Sequence, residues 1–158
     1  MSSKNNAALT KDSLRAKGSV PEVDMTVLET KLGYQIRMAD RLMSKDFVQN
    51  AGMTPVQYSV FSLIATNQGL SQVAIGDSLG MDRASTMAIV RKLEKAELID
   101  CRKAVHDRRM QALHLTAKGE KEFKAVNGRV TDYDNSIGKR LSAKEREQFL
   151  LCLAKLRG

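Results

Sequence analysis

Apolar residues recur at helical spacing along most of the chain. In a helix predicted over residues 25–49, they are separated by three or four positions, which places them on one face. The residues of this first stripe are Leu28, Leu32, Ile36, Ala39 and Leu42. A second stripe, nearer the C-terminus, consists of Phe123, Val126, Val130, Tyr133 and Ile137. Because its spacing is close to a heptad repeat, we expect this face to contact another helix.

Capping residues predict where five further helices begin. Each cap is a Ser, Thr or Asp that can accept a hydrogen bond from the first helical turn. The predicted caps are Thr54, Ser71, Asp82, Thr116 and Ser142. At the first of these, Pro55 occupies the first helical position and Gln57 completes a capping box. Residues 72–79 and 83–96 are therefore predicted as two short helices, with Gly80 in the tight turn between them.

A short hairpin is predicted after the second of these two helices. Residues 98–101 and 110–115 form its strands, because apolar and polar positions alternate in the second one. A charged loop, residues 103–109, joins them. Two short helices with a glycine turn, followed by a hairpin with a basic loop, are typical of a winged helix-turn-helix. The predicted fold is therefore mainly α with a small β-wing.

Composition indicates a globular chain with a negatively charged partner. The 158 residues are 42% hydrophobic and 28% charged, which suffices for one domain with a sizeable core. The net charge of +8 favours either nucleic acid or an anionic membrane surface as a partner, and it does not choose between them.

The two cysteines do not form a disulfide framework, which fits a reducing compartment. Residues 1–20 lack the apolar segment of a signal peptide, and no apolar run approaches the ~18 residues of a membrane span. We therefore expect a cytoplasmic protein. Residues 1–21 are polar and are predicted to be a flexible tail, and residues 22–158 are predicted to form one domain.

The second short helix has an outer face suited to DNA. Its apolar side, which we expect to be buried, consists of Thr86, Ile89, Val90 and Leu93. The opposite face carries Arg83, Ser85, Met87, Ala88, Arg91 and Lys92. Arginine can bind guanine or phosphate, and small residues allow close approach to the major groove. An ordinary solvated amphipathic helix would show the same pattern.

The tip of the hairpin adds a second candidate contact. It contains Asp107, Arg108 and Arg109, and an arginine on a narrow loop suits the negative potential of the minor groove. The carboxylate of Asp107 could hold the side chain of Arg109 in place. The alternative is a charged hairpin tip that only keeps the surface soluble.

These motifs resemble those of the MarR family of regulators. The resemblance is carried by Thr54-Pro55-x-Gln57-Tyr58, by Leu79-Gly80-Met81-Asp82-Arg83, by Leu93-Glu94-Lys95, and by Asp107-Arg108-Arg109 followed by Leu113-His114-Leu115-Thr116-Ala117-Lys118-Gly119. It spans about residues 25–157. One departure is Glu97, where the family usually has glycine after the recognition helix.

The resemblance implies a dimer that binds pseudo-palindromic DNA through a winged helix-turn-helix at residues 54–116. The dimerisation helices would be residues 25–49 and 117–157. Arg109 would enter the minor groove, supported by Asp107, and Ser71 would contact phosphate. The full predicted DNA-binding set is Ser71, Gln72, Arg83, Ser85, Thr86, Arg91, Lys92, Asp107, Arg108 and Arg109.

The stretch from Leu32 to Arg37 resembles a subgroup that responds to hydroxycinnamoyl-CoA and related aromatic acids. An aromatic ring could stack on Tyr34, and an anion could meet Arg37 and Arg41. The predicted ligand-binding set is Tyr34, Arg37, Met38, Arg41, Met53 and Tyr58. The alternative is that the methionines are core residues and the arginines are a solvated face.

Other chemistry is weakly indicated. Cys101 has the basic neighbours Arg102 and Lys103, which makes it a better redox candidate than Cys152, although both could be inert. The histidines lack metal-ligand spacing and catalytic motifs are absent from the sequence, so we predict no metal, no cofactor and no enzyme activity. The leading hypothesis is a ligand-responsive repressor, and the alternative is an architectural DNA-binding protein without an effector.

Overall fold

The computed structural model describes residues 23–103 and 111–158. Contacts between Cα atoms group the chain into two compact units, one ending at Met38 and the other formed by Ala39–Gly158. The elements of the described residues are α1 Thr26–Glu29, α2 Leu32–Ala51, α3 Pro55–Thr66, α4 Gln72–Leu79, α5 Arg83–Lys95, β1 Ile99–Lys103, β2 Gln111–Leu115, α6 Ala117–Gly138 and α7 Ala143–Arg157. The mainly α fold with a small β-hairpin is confirmed. The tail predicted over residues 1–21 lies outside the described residues.

The single helix predicted over residues 25–49 is wrong, because the chain forms two helices there. Asp24, two residues before α1, accepts hydrogen bonds from the backbone N–H and the hydroxyl of Thr26 (2.9 and 2.6 Å). After Glu29 the chain turns, and Gln35 donates its side-chain amide to the Glu29 carbonyl (2.7 Å). The apolar spacing is helical on both sides of this turn, so the pattern did not reveal it. None of the helices in the described part of the chain is long and apolar enough to cross a membrane.

The five predicted caps are confirmed. In each, the side-chain oxygen accepts a hydrogen bond from the backbone N–H three residues later. Such a cap is worth about 1 kcal/mol of helix stability. Thr54 and Ser142 also form complete capping boxes, with Gln57 and Glu145 respectively. These five caps determine the residues at which helices α3 to α7 begin.

The core of the second unit lies between α3, α4, α5 and the hairpin. Its buried residues are Val60, Phe61, Ile64, Ile75, Val90, Leu93, Leu98, Ile99, Leu113 and Leu115. Two apolar residues of α3 and α4, Val56 and Val73, are 47% and 63% exposed. Each lies early in its helix, on the side turned away from this cluster.

The strands pair in antiparallel register from Ile99 with Leu115 to Lys103 with Gln111. β1 therefore extends two residues beyond the predicted position 101, and Met110 lies outside the described residues. On its other edge β2 forms a bridge to Leu70, in which the Leu113 N–H donates to the Leu70 carbonyl (2.9 Å). The hairpin is thereby attached to the segment between α3 and α4.

The apolar stripe of α6 packs inside the second unit. The Phe123 ring meets Phe61 edge-on at 5.4 Å, Val126 is fully buried, and the Tyr133 hydroxyl donates to the Met43 carbonyl (2.7 Å). The expected helix contact is therefore made in part within the chain, where Val126 is buried and the other four residues of the stripe are half-buried. The apolar side chains that stay more than half exposed on α7 are Phe149, Leu150, Leu151 and Leu156.

Candidate nucleic-acid interface

Helices α4 and α5 form the helix-turn-helix. Gly80 ends α4 in the left-handed conformation (φ 61°), which glycine adopts without the steric cost that a Cβ atom brings. Two residues later Asp82 caps α5. The turn therefore has a glycine at the position that reverses the chain and an acceptor at the position that starts the next helix.

A second glycine sets the distance between these helices. A Cβ atom at Gly76 would lie 3.1 Å from the Thr86 hydroxyl oxygen and 3.3 Å from the Met81 carbonyl oxygen. Thr86 itself is 1% exposed, and its hydroxyl donates to the Asp82 carbonyl (2.9 Å). Thr86 is therefore part of the contact between α4 and α5, and its inclusion among the DNA-binding residues is corrected.

The start of α5 carries a fixed carboxylate. The Asp82 carboxylate accepts hydrogen bonds from the Ser85 backbone N–H (2.8 Å) and from the Ser85 hydroxyl (2.6 Å). The hydroxyl bond and then the backbone bond lower the pKa of Asp82 below its ordinary value. Since the Ser85 hydroxyl already donates its proton to Asp82, its oxygen remains available chiefly as an acceptor.

The outer face of α5 is exposed and basic. Arg83, Arg91 and Lys92 are exposed, as are Ser85 and Ala88. Because Thr86, Val90 and Leu93 are buried, the helix presents one face to the core and the opposite one to solvent. The other predicted contacts on α4, Ser71 and Gln72, are half-buried, and Ser71 accepts from the Ala74 N–H (3.2 Å) as a helix cap.

The hairpin tip is outside the described residues, and these include the predicted contacts Asp107, Arg108 and Arg109. The base of the hairpin is described. There Leu113 and Leu115 enter the core, and the Leu115 N–H donates to the side chain of Gln68 (3.0 Å). The strands are thus attached to the core by packing and to the segment between α3 and α4 by hydrogen bonds.

The turn after α5 holds Glu97, at a position where the family that the sequence resembles usually has glycine. Glu97 has φ 60°, and it is the non-glycine residue in this conformation among those described. Its N–H donates to the Glu94 carbonyl (2.8 Å), and the Leu98 N–H donates to the Leu93 carbonyl (3.0 Å). This pair of bonds is a Schellman motif, which ends the helix without leaving its last carbonyls unpaired.

α6 meets this turn through contacts that the sequence pattern does not reveal. The Thr116 hydroxyl donates to the Glu97 carbonyl (2.6 Å), and Lys118 donates its ammonium group to the Ala96 carbonyl (2.8 Å). Gly119 packs against Leu98 so closely that its lack of a side chain is required. These residues belong to the motif Leu115-Thr116-x-x-Gly119. The motif alone does not indicate which carbonyl groups they bind.

Three predicted ligand-binding residues lie in the first unit. Tyr34 and Met38 are half-buried and Arg37 is exposed. The Arg37 guanidinium carbon lies 5.8 Å from the centre of the Tyr34 ring, within the range of a cation–π contact.

The other three, Arg41, Met53 and Tyr58, lie in the second unit. Arg41 is exposed, and Met53 is half-buried against the core cluster. The Tyr58 hydroxyl donates to the Asn127 side chain (2.6 Å), and its ring lies 5.8 Å from Phe47. Tyr58 is therefore already engaged within the protein, in an aromatic cluster that the sequence pattern did not reveal.

Cys101 and Cys152 are both exposed. The sequence made Cys101 the better redox candidate of the two and left an inert cysteine as the alternative, and the local charges favour that alternative. Burial, followed by the negative charges of Glu94 and Asp100, raises the pKa of the Cys101 thiol. In addition, Arg102 is paired with Asp100 (2.8 Å). The local charges therefore disfavour the thiolate that redox chemistry needs.

Comparison with known proteins gives one family. A model described as MarR family matches residues 51–110. A putative transcriptional regulatory protein for the hcr operon of Thauera aromatica is 32% identical over 130 residues, which are 80% of this chain and 78% of the relative. The transcriptional regulator HosA of Escherichia coli is 30% identical over 104 residues, 66% of this chain and 77% of that protein.

Solved structures agree. The transcriptional repressor CouR bound to a 23-mer DNA duplex has a TM-score of 0.82 at 28% identity, covering 87% of this chain and 100% of that one. CouR bound to p-coumaroyl-CoA has a TM-score of 0.78 at 28% identity, covering 86% and 98%. The PcaV regulator from Streptomyces coelicolor, at 22% identity and a TM-score of 0.74 over 87% and 97%, shares the fold.

Proposed function

Because the chain belongs to the MarR family of DNA-binding transcriptional regulators, we propose that it is a repressor that a small aromatic or anionic ligand releases from a pseudo-palindromic operator. The observation that carries the DNA-binding part is the exposed basic face of α5. This helix has 13 residues and is therefore ~20 Å long, enough to cross a major groove ~12 Å wide.

DNA contacts are proposed for two parts of the interface. On α5, Arg83, Arg91 and Lys92 supply the positive charge, and Ser85 offers an acceptor beside Asp82. The residues proposed from the helix-turn-helix and the hairpin tip are Ser71, Gln72, Asp107, Arg108 and Arg109. CouR, at 28% identity, is bound to DNA in its solved structure, which supports this use of the same fold.

The working form is proposed to be a homodimer. A pseudo-palindromic operator repeats its half-site around a two-fold axis, and a dimer with the same symmetry can contact both halves. The exposed apolar side chains of α7, including Phe149 (53%) and Leu150 (57%), support an interface at that helix, since large apolar patches are unfavourable in water.

The proposed effector is a small aromatic acid or its CoA thioester. Arg37 is an exposed cation that lies over the Tyr34 ring, so an anionic group and an aromatic group could both be bound there. CouR has been solved with p-coumaroyl-CoA, which supports this ligand class. By this proposal the protein acts in the cytoplasm and regulates the use of aromatic compounds.

The DNA-binding part is tested by selection from a randomised duplex pool. The wild-type protein should enrich a sequence with two-fold symmetry and bind it about 10³-fold or more tightly than a shuffled duplex at a stated salt concentration. Equal binding of both duplexes would instead support an architectural DNA-binding protein without an operator.

The effector part is tested with p-coumarate, p-coumaroyl-CoA and CoA alone. At least one of the two aromatic compounds should release the enriched duplex and raise the melting temperature of the DNA-free protein. Arg37→Ala should lose this response but keep DNA binding, whereas Lys31→Ala, an exposed cation of the same unit, should respond normally. If neither aromatic compound changes DNA binding or melting, the proposed effector class is wrong.

A further inference from the structure

The first turn of α6 binds three successive carbonyl groups at the end of α5. Lys118 Nζ donates to the Ala96 carbonyl (2.8 Å), Thr116 Oγ1 to the Glu97 carbonyl (2.6 Å), and the Thr116 N–H to the Leu98 carbonyl (3.1 Å). We call this set, residues 96–98 with residues 116–118, the α5–α6 clamp. It connects the helix that faces DNA to the helix that packs against α3.

Lys118 is the member of the clamp that folding requires least. Thr116 also caps α6 by accepting from the Gly119 N–H (2.9 Å), so its loss would weaken that helix directly. The Lys118 side chain is 60% exposed, and its ion pair with Glu97 (3.2 Å) involves a carboxylate that is 80% exposed. Such exposed pairs contribute little to stability. What Lys118 does provide is a cationic donor at the C-terminal end of α5, where helix carbonyls concentrate negative potential.

We infer that Lys118 is a positioning residue for operator recognition, which holds α5 at a fixed angle to α6. The inference rests on the proposed function. Base contacts require the side chains of α5 to meet donors and acceptors within hydrogen-bond distance, whereas phosphate contacts tolerate small changes in helix angle. Loosening the end of α5 therefore reduces recognition of a specific sequence more than it reduces general attraction to DNA.

A direct contact between Lys118 and phosphate would have a different signature. It would weaken binding to every duplex and lower the salt dependence by about one phosphate equivalent per subunit. A positioning role leaves the salt dependence and the binding of shuffled DNA unchanged. The two roles are therefore separable in one set of titrations.

The experiment compares Lys118→Met, Lys118→Arg and Lys121→Met. Lys121 is an exposed lysine of the same helix, and its side chain makes no hydrogen bond or ion pair with the described residues, so it controls for the lost charge. The probes are the duplex that the wild type enriches and a shuffled duplex, each at two salt concentrations. Relative to Lys121→Met, Lys118→Met should bind the enriched duplex about 3- to 30-fold more weakly, and Lys118→Arg should recover most of the affinity.

Amide hydrogen exchange of the DNA-free protein gives a readout that does not depend on DNA. The N–H groups of Glu97 and Leu98 are held by the bonds that end α5. They should exchange faster in Lys118→Met than in Lys121→Met, while the melting temperatures of the two variants remain similar.

Three results would overturn the inference. One is equal affinity of Lys118→Met and Lys121→Met for the enriched duplex, and another is unchanged exchange at Glu97 and Leu98. The third is equal weakening on both duplexes with reduced salt dependence, which would indicate a phosphate contact. If the wild type does not prefer any duplex, the proposed function fails and the inference fails with it. This result is distinguishable from a failure of the inference alone, because it is seen with the wild type before any substitution is made.

Discussion

Gly119 in the first turn of α6 lies directly against the backbone of Leu98, at the end of the turn that follows α5. A Cβ atom at position 119 would lie 1.8 Å from the Leu98 carbonyl oxygen and 2.8 Å from its carbon. Both atoms belong to the backbone, so they cannot move aside as a flexible side chain could. The packing of α6 against the turn after α5 therefore depends on the absence of a side chain at this position.

Gly119→Ala is expected to lower the free energy of unfolding by about 3 kcal/mol, at the upper end of the usual cost of overpacking. The matched control is Gly128→Ala in the middle of the same helix, where a Cβ atom would meet nothing within 4 Å. That variant should be about 0.5–1 kcal/mol more stable than the wild type, because alanine favours helix. Urea denaturation at one protein concentration measures both, and similar effects of the two substitutions would contradict the close contact.

Glu97 provides a second test of the turn after α5. Its left-handed conformation costs a residue with a side chain about 1–2 kcal/mol, which glycine avoids. Glu97→Gly should therefore be about 1 kcal/mol more stable than Glu97→Ala. Both variants lack the exposed ion pair with Lys118, so their difference in urea denaturation isolates the backbone conformation. An alanine variant as stable as the glycine variant would show that the turn changes its conformation.

The stability that Asp82 contributes should depend on pH. Its pKa is lowered in the folded protein, so the ionised form is favoured by folding. This contribution is present above the unfolded pKa of about 4 and is lost as the pH falls through the lower folded value. The melting temperature of Asp82→Asn should lie below that of the wild type at pH 7, and the gap should close below about pH 4. A gap that stays constant with pH would show that the charge of Asp82 is not involved.

Charge on α5 should affect DNA binding in two different ways. Arg83→Ala, near the helix N-terminus where we propose base contacts, should weaken binding to the enriched duplex by about 1–3 kcal/mol. Lys92→Ala should weaken enriched and shuffled duplexes about equally if Lys92 contacts phosphate alone. Arg140→Ala removes an exposed arginine beyond the end of α6 and is the control. Fluorescence anisotropy titrations measure all three, and an equal loss for Arg83→Ala and Arg140→Ala would remove Arg83 from the interface.

The exposed apolar side chains of α7 should hold two copies of the chain together. Leu150→Asp is expected to shift the protein toward a 17.5 kDa monomer at micromolar concentration, because a carboxylate is costly to bury without a partner. Glu147→Asp, on the same helix, keeps the surface charge and should leave the dimer intact. Sedimentation velocity distinguishes the species, and a wild type that is itself monomeric at that concentration would refute the proposed dimer.

Local signals in the sequence predicted local structure well. The caps at Thr54, Ser71, Asp82, Thr116 and Ser142 were found because each cap interaction lies within four residues of chain. The bounds of α4 followed from Ser71 before it and Gly80 after it. The positive φ of Glu97 was not predicted, although glycine is usual at this position in the family that the sequence resembles.

What faces each apolar stripe could not be predicted in the same way. The spacing from Phe123 to Ile137 identified a buried face of α6, but the same spacing suits the chain's own core or a partner helix. Contacts between distant positions, such as the Tyr58 hydroxyl with Asn127, have no signal in a single sequence.

The DNA-binding set shows a related limit. Thr86 lies on the recognition helix and was predicted both as a core residue and as a DNA contact, and its burial supports the first role only. Likewise, basic residues near Cys101 in the sequence suggested a lowered thiol pKa. In the structure Glu94 and Asp100 act on it in the opposite direction. Asp100 directly precedes Cys101 and also pairs with Arg102, and Glu94 is seven residues away along the chain.

The charged hairpin also bears on aggregation at high protein concentration. A short sheet offers unpaired edges to which strands of neighbouring molecules can add, and repeated addition produces aggregates. One edge of β2 is already bridged by Leu70, and β1 carries Asp100 and Arg102, which are paired with each other along the strand. An added strand would have to accommodate this exposed ion pair at the place where it joined. The bridge and the ion pair therefore disfavour the addition of a further strand at either edge of this two-stranded sheet.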